Sequence, residues 1–444
     1  MAQTLQPVRG TRDLLPEELK KFRLVEETAV HLARLYGFGE IETPVLESSA
    51  LFKRGLGDTS DIVSKEMYAF QDLGGDELVL RPEGTAGVAR AFISEGLTQH
   101  LPLKLFYRGP MFRRERPQKG RYRQFYQMGV ELLGVDKAQA DLEVIALAHQ
   151  ILTSLPYAEG FGSSITLHLN TIGDAESRLA FREKLTSYFM TRKSELSADS
   201  LTRLEKNPLR ILDSKDEGDK RVVKDAPALE QSLNDVSKKF FDDLVSGLDR
   251  LKIPYVIDPL LVRGLDYYCH TVFEFTTDAL GAQNAVLAGG RYDNLISDLG
   301  GPKTPGVGWA AGIDRLALML KPETASLKPV AVVPIGDDVN VQASMITHQL
   351  RQMGVPVDLG YSGNLSKRLN RANKIGAAYA VIFGAAELAR NIVQFKNLGD
   401  GTQQEIPLLA LFDNLSKVYA DMRLRQHIDR DKFIRELVIQ PQSK

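Results

Sequence analysis

The fold is decided by residues 104–134, KLFYRGPMFRRERPQKGRYRQFYQMGVELLG, in which two strand-like runs flank a turn from Arg116 to Gly120. Strand alternation divides the second run into two faces. One face is apolar and predicts core, with Tyr126, Met128 and Val130. The other face carries a ring, an amide, a glycine and a carboxylate, from Phe125, Gln127, Gly129 and Glu131. Such groups are costly to bury without a polar ligand, but a solvent-facing half of an edge strand explains them equally well.

Arginines flank the turn of the same hairpin, and they are Arg113, Arg114, Arg116, Arg121 and Arg123. Planar guanidinium groups bind pairs of phosphate oxygens, so several of them on one hairpin favour a polyphosphate or an RNA backbone as ligand. The alternative is a solvated basic loop paired with surface acids. A basic loop alone favours that alternative.

The region before the hairpin predicts one helix and several strands. Apolar residues at helical spacing indicate an amphipathic helix from Pro16 to Tyr36, ended by Gly37. Residues 41–47, IETPVLE, are broken by Pro44 and suggest an edge or interface strand. Further strand-like runs are EMYAF (66–70) and ELVLRP (77–82), with a turn between them. This antiparallel pattern with intervening helices indicates an α+β domain.

The region after the hairpin changes character twice. Residues 171–251 are rich in charge and poor in strand signals, which predicts a helical insertion. Strand signals resume in residues 255–275 and close with a glycine-rich turn and a helix in TPGVGWAAGIDRLALML, residues 304–320. A polar, proline-containing segment, residues 321–329, predicts a linker, and βαβαβ alternation follows it.

The predicted organisation therefore has two domains. The first covers residues 1–325 and contains the insertion, and the second is an α/β domain with a largely parallel sheet over residues 330–425. Residues 426–444 form a C-terminal tail.

Two further segments carry polar groups whose meaning stays open when each is taken alone. RGLDYY, residues 263–268, suits recognition of a zwitterionic small molecule, or else a structural ion pair beside core tyrosines. The small residues from Gly306 onward permit close backbone approach to a ligand, and Arg315 is expected on the first turns of the following helix. The sequence lacks the P-loop, GxGxxG and GxSxG patterns, so any phosphate binding must rest on arginines.

Composition excludes several classes of protein. The length of 444 residues exceeds what one core usually organises, and the net charge of −1 restricts an RNA surface to a local basic patch. A single cysteine, Cys269, excludes an internal disulfide framework and a paired-cysteine zinc site. The histidines lack metal-ligand spacing, and neither a signal peptide nor a long apolar run occurs. We therefore expect a cytoplasmic protein with no membrane association and no metal site made by its side chains.

Taken in order, these segments resemble class II aminoacyl-tRNA synthetases over nearly the whole chain, and specifically the histidyl-tRNA synthetase family. RGTRDLLP (9–16) with its helix resembles motif 1, which builds the family's homodimer interface. FRRERPQKGRYRQFYQ (112–127) resembles motif 2, and GVGWAAGIDRL (306–316) resembles motif 3. LVRGLDYY (261–268) is similar to the family's histidine-specific signature. The resemblance implies ATP-dependent activation of L-histidine to histidyl-adenylate, followed by transfer to the 3′ end of tRNA(His).

The resemblance also implies a role for each matching residue. For ATP, the implied residues are Arg113 on the α-phosphate, Arg121 and Arg315 on the outer phosphates, and Glu115 and Phe125 on adenine. For histidine, they are Glu83, Gly84, Thr85 and Gln127 at the ammonium end, and Glu131, Tyr267 and Tyr268 at the imidazole. The implied catalytic pair is Arg113 and Arg263, on opposite sides of the α-phosphate, supplemented by Mg²⁺ that bridges the phosphates.

The C-terminal domain resembles the anticodon-binding domain of the same subclass. On its second predicted helix, cations recur at roughly one-turn spacing, namely Lys367, Arg368, Arg371 and Lys374. They are candidates for RNA phosphates, although a solvated helix face is the alternative for each of them.

Two other functions compete with aminoacylation of histidine. One is a regulatory subunit of ATP phosphoribosyltransferase, but such paralogues characteristically lack the anticodon domain, and this chain keeps Arg113, Arg263 and Arg315. The other is a synthetase for a different amino acid, which has no reason to carry RGLDYY. Departures from the family pattern are few and include Cys269, His270 and Asp314.

Overall fold

The computed structural model describes residues 5–57, 60–117, 120–159, 165–212, 214, 216–263, 265, 267–280, 285–321 and 327–419. The chain forms two compact units, one up to residue 322 and the other from residue 323. Within the described ranges, no helix is long and apolar enough to cross a membrane. The predicted C-terminal tail, residues 426–444, lies outside the described residues.

The first unit is built on an antiparallel-rich sheet. Its strands are β1 (Gly39–Ile41), β2 (Leu46–Ser48), β3 (Tyr68–Gln71), β4 (Glu77–Leu80), β5 (Leu103–Phe112), β6 (Gln124–Leu133), β7 (Ile165–Thr171), β8 (Val256–Ile257), β9 (Cys269–Thr277), β10 (Ala285–Arg291) and β11 (Gly306–Gly312). The main sheet has the order β1-β5-β6-β11-β10-β9-β7-β8, and a small sheet has the order β2-β4-β3. Only the outermost pairs of the main sheet, β1 with β5 and β7 with β8, are parallel. The predicted α+β architecture is confirmed.

Helices cover this sheet. They are α1 (Pro16–Leu35), α2 (Ser49–Leu56), α3 (Thr85–Ser94), α4 (Ala138–Ser154), α5 (Ala175–Met190), α6 (Ala198–Lys206), α7 (Glu217–Val223), α8 (Asp235–Leu251), α9 (Leu295–Asp298) and α10 (Ile313–Met319). Helix α1 buries Phe22 and Val25 in the same core as Met128 and Val130 of β6, which confirms the predicted apolar faces of both elements. Burial of these faces is the main source of the unit's stability.

Two strand predictions need correction. IETPVLE is not one strand: it runs from the last residue of β1, Ile41, into β2, and the two strands lie at the edges of different sheets. Pro44 between them has no N–H to donate to a ladder. Residues 306–312, expected as a turn, form strand β11, and strand β10 was not predicted from the sequence. Both strands are rich in glycine because neighbouring side chains and backbone leave no room for a Cβ atom. A methyl group on Gly308, for example, would collide with Glu131.

The region 171–251 has no strand after β7 among its described residues, as the composition predicted. Its helices are divided between two cores. Phe181 and Leu185 of α5 pack in a cluster with Tyr267 and Tyr268, whereas Leu244 of α8 packs with the core formed by α1 and α4.

The second unit is an α/β sandwich. Its strands are β12 (Val330–Pro334), β13 (Val357–Leu359), β14 (Tyr379–Phe383), β15 (Ile392–Asn397) and β16 (Gln403–Pro407), and its helices are α11 (Asn340–Gln352), α12 (Leu365–Lys374), α13 (Ala385–Ala389) and α14 (Leu408–Val418). The order is β13-β12-β14-β15-β16. The βαβαβ portion is parallel as predicted, but β15 and β16 are antiparallel, so the whole sheet is mixed rather than largely parallel.

Candidate active site

A cavity of about 270 Å³ opens on the main sheet of the first unit, where β6, β10 and β11 lie side by side. Its walls come from the start of α3, the β5–β6 connection, the start of α10, and Arg263, Leu265, Tyr267 and Tyr268. Most of the predicted site residues line it, namely Glu83, Thr85, Arg113, Glu115, Arg121, Phe125, Gln127, Arg263, Tyr267, Tyr268 and Arg315. Segments that are distant in sequence therefore meet at one place.

A buried carboxylate, Glu131, lies behind Thr85 and is not itself part of the cavity lining. Glu131 Oε1 accepts a 2.7 Å hydrogen bond from the Thr85 hydroxyl, and Glu131 Oε2 accepts a short one from the Tyr292 hydroxyl. Burial raises the pKa of Glu131 to about 8, although both hydrogen bonds act against that rise. The folded environment therefore favours the protonated carboxyl group, which is connected to the cavity lining through the Thr85 hydroxyl.

Glu83 stands at the N-terminus of α3. Its carboxylate accepts hydrogen bonds from Thr85 N at 2.7 Å and Ala86 N at 2.9 Å, which satisfies two helix-end donors. Burial raises the pKa of Glu83, and Arg113 is among the groups that oppose this shift. Nearby, the carbonyl oxygen of the Gln127 side chain is buried and has no hydrogen-bond partner among the described residues. Both groups are acceptors that suit an ammonium ion.

Two tyrosines that the sequence analysis missed support this end. Tyr292 packs edge-on against Tyr267, with ring centroids 5.6 Å apart, and its hydroxyl donates a hydrogen bond to Glu131. Tyr107 of β5 is buried and fills the space over Gly84 and Gly129, where a methyl group would collide with its ring. The pairing of Tyr107 with Gly129 is a register contact of β5 and β6. Only a prediction of that register could have suggested it.

The wall formed by the β5–β6 hairpin is cationic. Arg113 donates to the carbonyl of Pro82 at 3.0 Å, and its guanidinium carbon lies 5.4 Å from the centre of the Phe125 ring. Arg121 forms an ion pair with Glu115. The arginines and the aromatic ring of motif 2 are thus brought together as the resemblance implied.

Two more arginines come from other elements. Arg263 pairs with Glu274 of β9 at 2.6 Å, and its Nε has no hydrogen-bond partner among the described residues. Arg315 of α10 donates to the carbonyl of Ala285. Burial, followed by the neighbouring Arg121, lowers the pKa of Arg315. Cationic groups gathered in a half-enclosed site attract an anionic ligand.

The cations predicted on α12 are not all equivalent. Lys367, Arg371 and Lys374 are exposed, and Arg371 pairs with Asp358 at 2.7 Å. Arg368 is only 7% exposed and donates to the carbonyl of Pro334, so the structure removes it from the exposed face of the helix. Its helical spacing was correct, but one-turn spacing alone does not tell which member of a series points inward.

Comparisons with known proteins agree with this geometry. Residues 10–316 match the family described as histidyl-tRNA synthetase, and residues 329–418 match the one described as anticodon binding domain. The histidine–tRNA ligase of Rhodospirillum rubrum is 56% identical over 414 residues, which cover 93% of this chain and 99% of that protein. The enzyme of the same description from Gluconacetobacter diazotrophicus is 52% identical over 408 residues, 92% of this chain and 97% of that protein.

Solved structures give the same result. The apo histidyl-tRNA synthetase of S. aureus matches with a TM-score of 0.77 at 34% sequence identity, covering 93% of this chain and all (100%) of that one. A chain from Bacillus halodurans, described as an ATP phosphoribosyltransferase regulatory subunit/histidyl-tRNA synthetase, matches with a TM-score of 0.64 at 23% identity, which is a likeness of fold alone.

The sheet, its arginine-lined cavity and the separate anticodon-binding fold are those of a class II aminoacyl-tRNA synthetase. Within that class, the chain belongs to the histidyl-tRNA synthetase family, whose profile spans nearly all of the first unit. The resemblance read from the motifs is confirmed.

Proposed function

We propose that this protein is a histidine–tRNA ligase that activates L-histidine with ATP and transfers the histidyl group to the 3′ end of tRNA(His). The observation that carries the proposal is one cavity with two chemically different sides: Glu83, Thr85 and Gln127, with the buried Glu131 bonded behind Thr85, and a set of arginines. Charging of tRNA(His) with labelled histidine in the presence of ATP is the direct test. Absence of charging by folded protein that binds both small substrates would refute it.

In the first step, a carboxylate oxygen of histidine attacks the α-phosphorus of ATP. A new oxygen–phosphorus bond forms, the bond from the α-phosphorus to the bridging oxygen breaks, and pyrophosphate leaves. The attacking carboxylate is already ionised, so no general base is required, and positioning with charge stabilisation provides the catalysis. Arg113 and Arg263 line the same cavity, and we assign them to the two sides of the α-phosphate.

The remaining groups hold ATP. Arg121 and Arg315 are assigned to the outer phosphates, and Glu115 and Phe125 to adenine, the ring by stacking. Among the described residues, no cluster of three His, Cys, Asp or Glu side chains can hold a metal ion. Mg²⁺ bound to the phosphates of ATP would add charge neutralisation beside Arg121 and Arg315.

Recognition of histidine is assigned to the side of the cavity that lies away from the ATP-binding arginines. Glu83, Gly84, Thr85 and Gln127 are assigned to the ammonium side, and Glu131, Tyr267 and Tyr268 to the imidazole. We assign Glu131, held by Thr85 and Tyr292, to orient the polar groups that meet the imidazole, and an amino acid without a ring nitrogen would leave those groups without their ligand. Buried polar groups without a partner are strongly penalised. Such a site discriminates well without editing.

In the second step, the terminal ribose hydroxyl of the tRNA attacks the carbonyl carbon of the adenylate, and AMP leaves. We assign the second unit to the anticodon, with Lys367 and Lys374 facing phosphates. The helical region 171–251 is assigned to the acceptor stem. A basic cavity of about 400 Å³ supports this, since Arg178, Arg182 and Arg210 line it together with Arg263 and Tyr268. Deletion of the helices that leaves tRNA affinity unchanged would refute that assignment.

We also propose that the protein is a homodimer and works in the cytoplasm, where tRNA is charged for translation. The support for the dimer is the motif 1 region, where large apolar side chains are exposed on α1 and the small sheet: Leu35 (67%), Leu46 (48%) and Phe70 (44%). A monomeric mass in solution would contradict the dimer.

A further inference from the structure

The N-terminal segment before α1, residues 9–12, is bound to the β5–β6 connection that forms one wall of the active-site cavity. Arg123 N donates to the Gly10 carbonyl at 2.7 Å, and the Arg123 guanidinium donates to the Arg9 carbonyl at 3.2 Å. Gly10 has a φ of 90°, and a methyl group there would press on Arg123 and Pro117 at 2.8 Å. The segment and the connection are therefore in direct contact.

Arg12 extends this contact to two residues that line the cavity. Its guanidinium carbon lies 4.2 Å from the centre of the Tyr122 ring, and its Nη2 donates to Asp314 Oδ1 at 3.0 Å. Nη1 pairs with Glu18 of α1, outside the cavity lining. One planar cation thus stacks on the β5–β6 connection and anchors the start of α10, while its other edge is held by α1.

Asp314 connects Arg12 to the backbone of β6. Its other oxygen, Oδ2, accepts a 2.7 Å hydrogen bond from Tyr126 N, and the side chain is 5% exposed. Tyr126 follows Phe125, which we assign to adenine, and Asp314 precedes Arg315, which we assign to a phosphate. Arg12 and Asp314 therefore join three elements at the positions that flank the nucleotide-binding side chains.

We propose that Arg12 is a positioning residue for ATP: acting through Tyr122 and Asp314, it fixes the relative placement of Phe125 and Arg315. It lies behind the cavity wall and touches no reacting atom, so its effect is on nucleotide affinity and not on histidine affinity. The histidine end, built on Glu83 and Glu131, shares none of these contacts. This inference rests on the proposed function only in naming ATP as the ligand.

The test compares Arg12→Ala, Arg12→Lys and Tyr122→Leu with the wild-type chain, and uses Glu17→Gln as the matched control, because Glu17 pairs with Lys20 on the exposed side of α1. Dissociation constants for ATP and for histidine are measured by calorimetry, with melting temperature and pyrophosphate exchange measured in parallel. We expect Arg12→Ala and Tyr122→Leu to weaken ATP at least about tenfold and histidine less than about twofold, because the stacked ion pair orders the nucleotide side alone.

Arg12→Lys keeps the charge but loses the planar stack, so it should restore only part of the ATP affinity. Glu17→Gln breaks an exposed ion pair within α1 and should leave ATP affinity unchanged. Equal losses for ATP and histidine, or unchanged ATP affinity in Arg12→Ala, would overturn the proposal. If Arg12→Ala does not fold, Tyr122→Leu decides. Wild-type protein that binds ATP but does not exchange pyrophosphate would refute the proposed function alone, and the ATP affinities would still decide the role of Arg12.

Discussion

At the residue scale, the sharpest expectation concerns Arg263, which lines the cavity and whose buried Nε has no hydrogen-bond partner among the described residues. If its charge acts mainly in the transition state, Arg263→Ala should lower the rate of adenylate formation at least about hundredfold while histidine affinity changes less than about threefold. Single-turnover kinetics and equilibrium dialysis measure the two quantities. Arg263→Lys serves as the conservative comparison, and an unchanged rate in Arg263→Ala would remove this residue from the catalytic pair.

Glu131 predicts a dependence of stability on pH. Its pKa of about 8 in the folded chain lies above the ordinary 4.5, so the folded state keeps a proton that the unfolded state releases. The contribution of protonated Glu131 to the unfolding free energy is complete below the ordinary pKa and is lost as pH rises through about 8. The unfolding free energy of the wild type, relative to Glu131→Gln, should therefore fall as pH rises from about 4.5 to about 8 in urea titrations. A difference that is constant or rises with pH would contradict the buried, neutral carboxylate.

How much of the site was predictable also depends on single residues. Alternation along β6 correctly separated Phe125 and Gln127 from the core face, because the period of a strand is local information. Tyr292 was missed, since it lies 161 positions from the Glu131 it contacts. Nothing local marks that partnership. Likewise, the helical spacing of Arg368 does not reveal that its guanidinium turns inward to Pro334.

At the scale of elements, a buried ion pair joins α4 to β10. Asp141 and Arg291 are both 0% exposed, and Arg291 also donates to the carbonyl of Val135 at 2.9 Å. Asp141→Asn removes the charge but leaves Arg291 buried, so we expect a loss of about 3 kcal/mol in the unfolding free energy of the first unit. Chemical denaturation measures it. Asp243→Asn, which breaks the exposed pair with Lys239, is the control and should leave the midpoint unchanged.

The same scale explains which strands the sequence could predict. β5 and β6 alternate clearly and are bounded by turn residues, so their prediction was correct. β10 and β11 are paired and carry glycines where they come closest: Gly289 lies against the backbone of Gly308 and the side chain of Trp309. Glycine normally signals a turn or weakens a strand. The glycines that permit close packing of β10 and β11 were therefore interpreted as turn residues.

At the scale of the whole molecule, activation and tRNA binding are assigned to separable surfaces. The double variant Lys367→Glu with Lys374→Glu places acids on the exposed face of α12 and should weaken tRNA binding by about tenfold or more, without changing histidine-dependent pyrophosphate exchange. Filter binding at several salt concentrations measures the change. Lys417→Glu, on α14 of the same unit, is the control for charge alone. Equal weakening by the control would show that α12 has no special role.

The central claim is that one cavity joins histidine to the α-phosphate of ATP. The most direct test is exchange of labelled pyrophosphate into ATP without tRNA, with histidine and each other amino acid supplied separately. The proposed chemistry predicts rapid exchange with histidine alone, because formation of the adenylate is reversible and the Glu131 end accepts only a side chain that pairs with it. No exchange with any amino acid, from folded protein that binds histidine, would contradict this account and favour a regulatory, non-catalytic role.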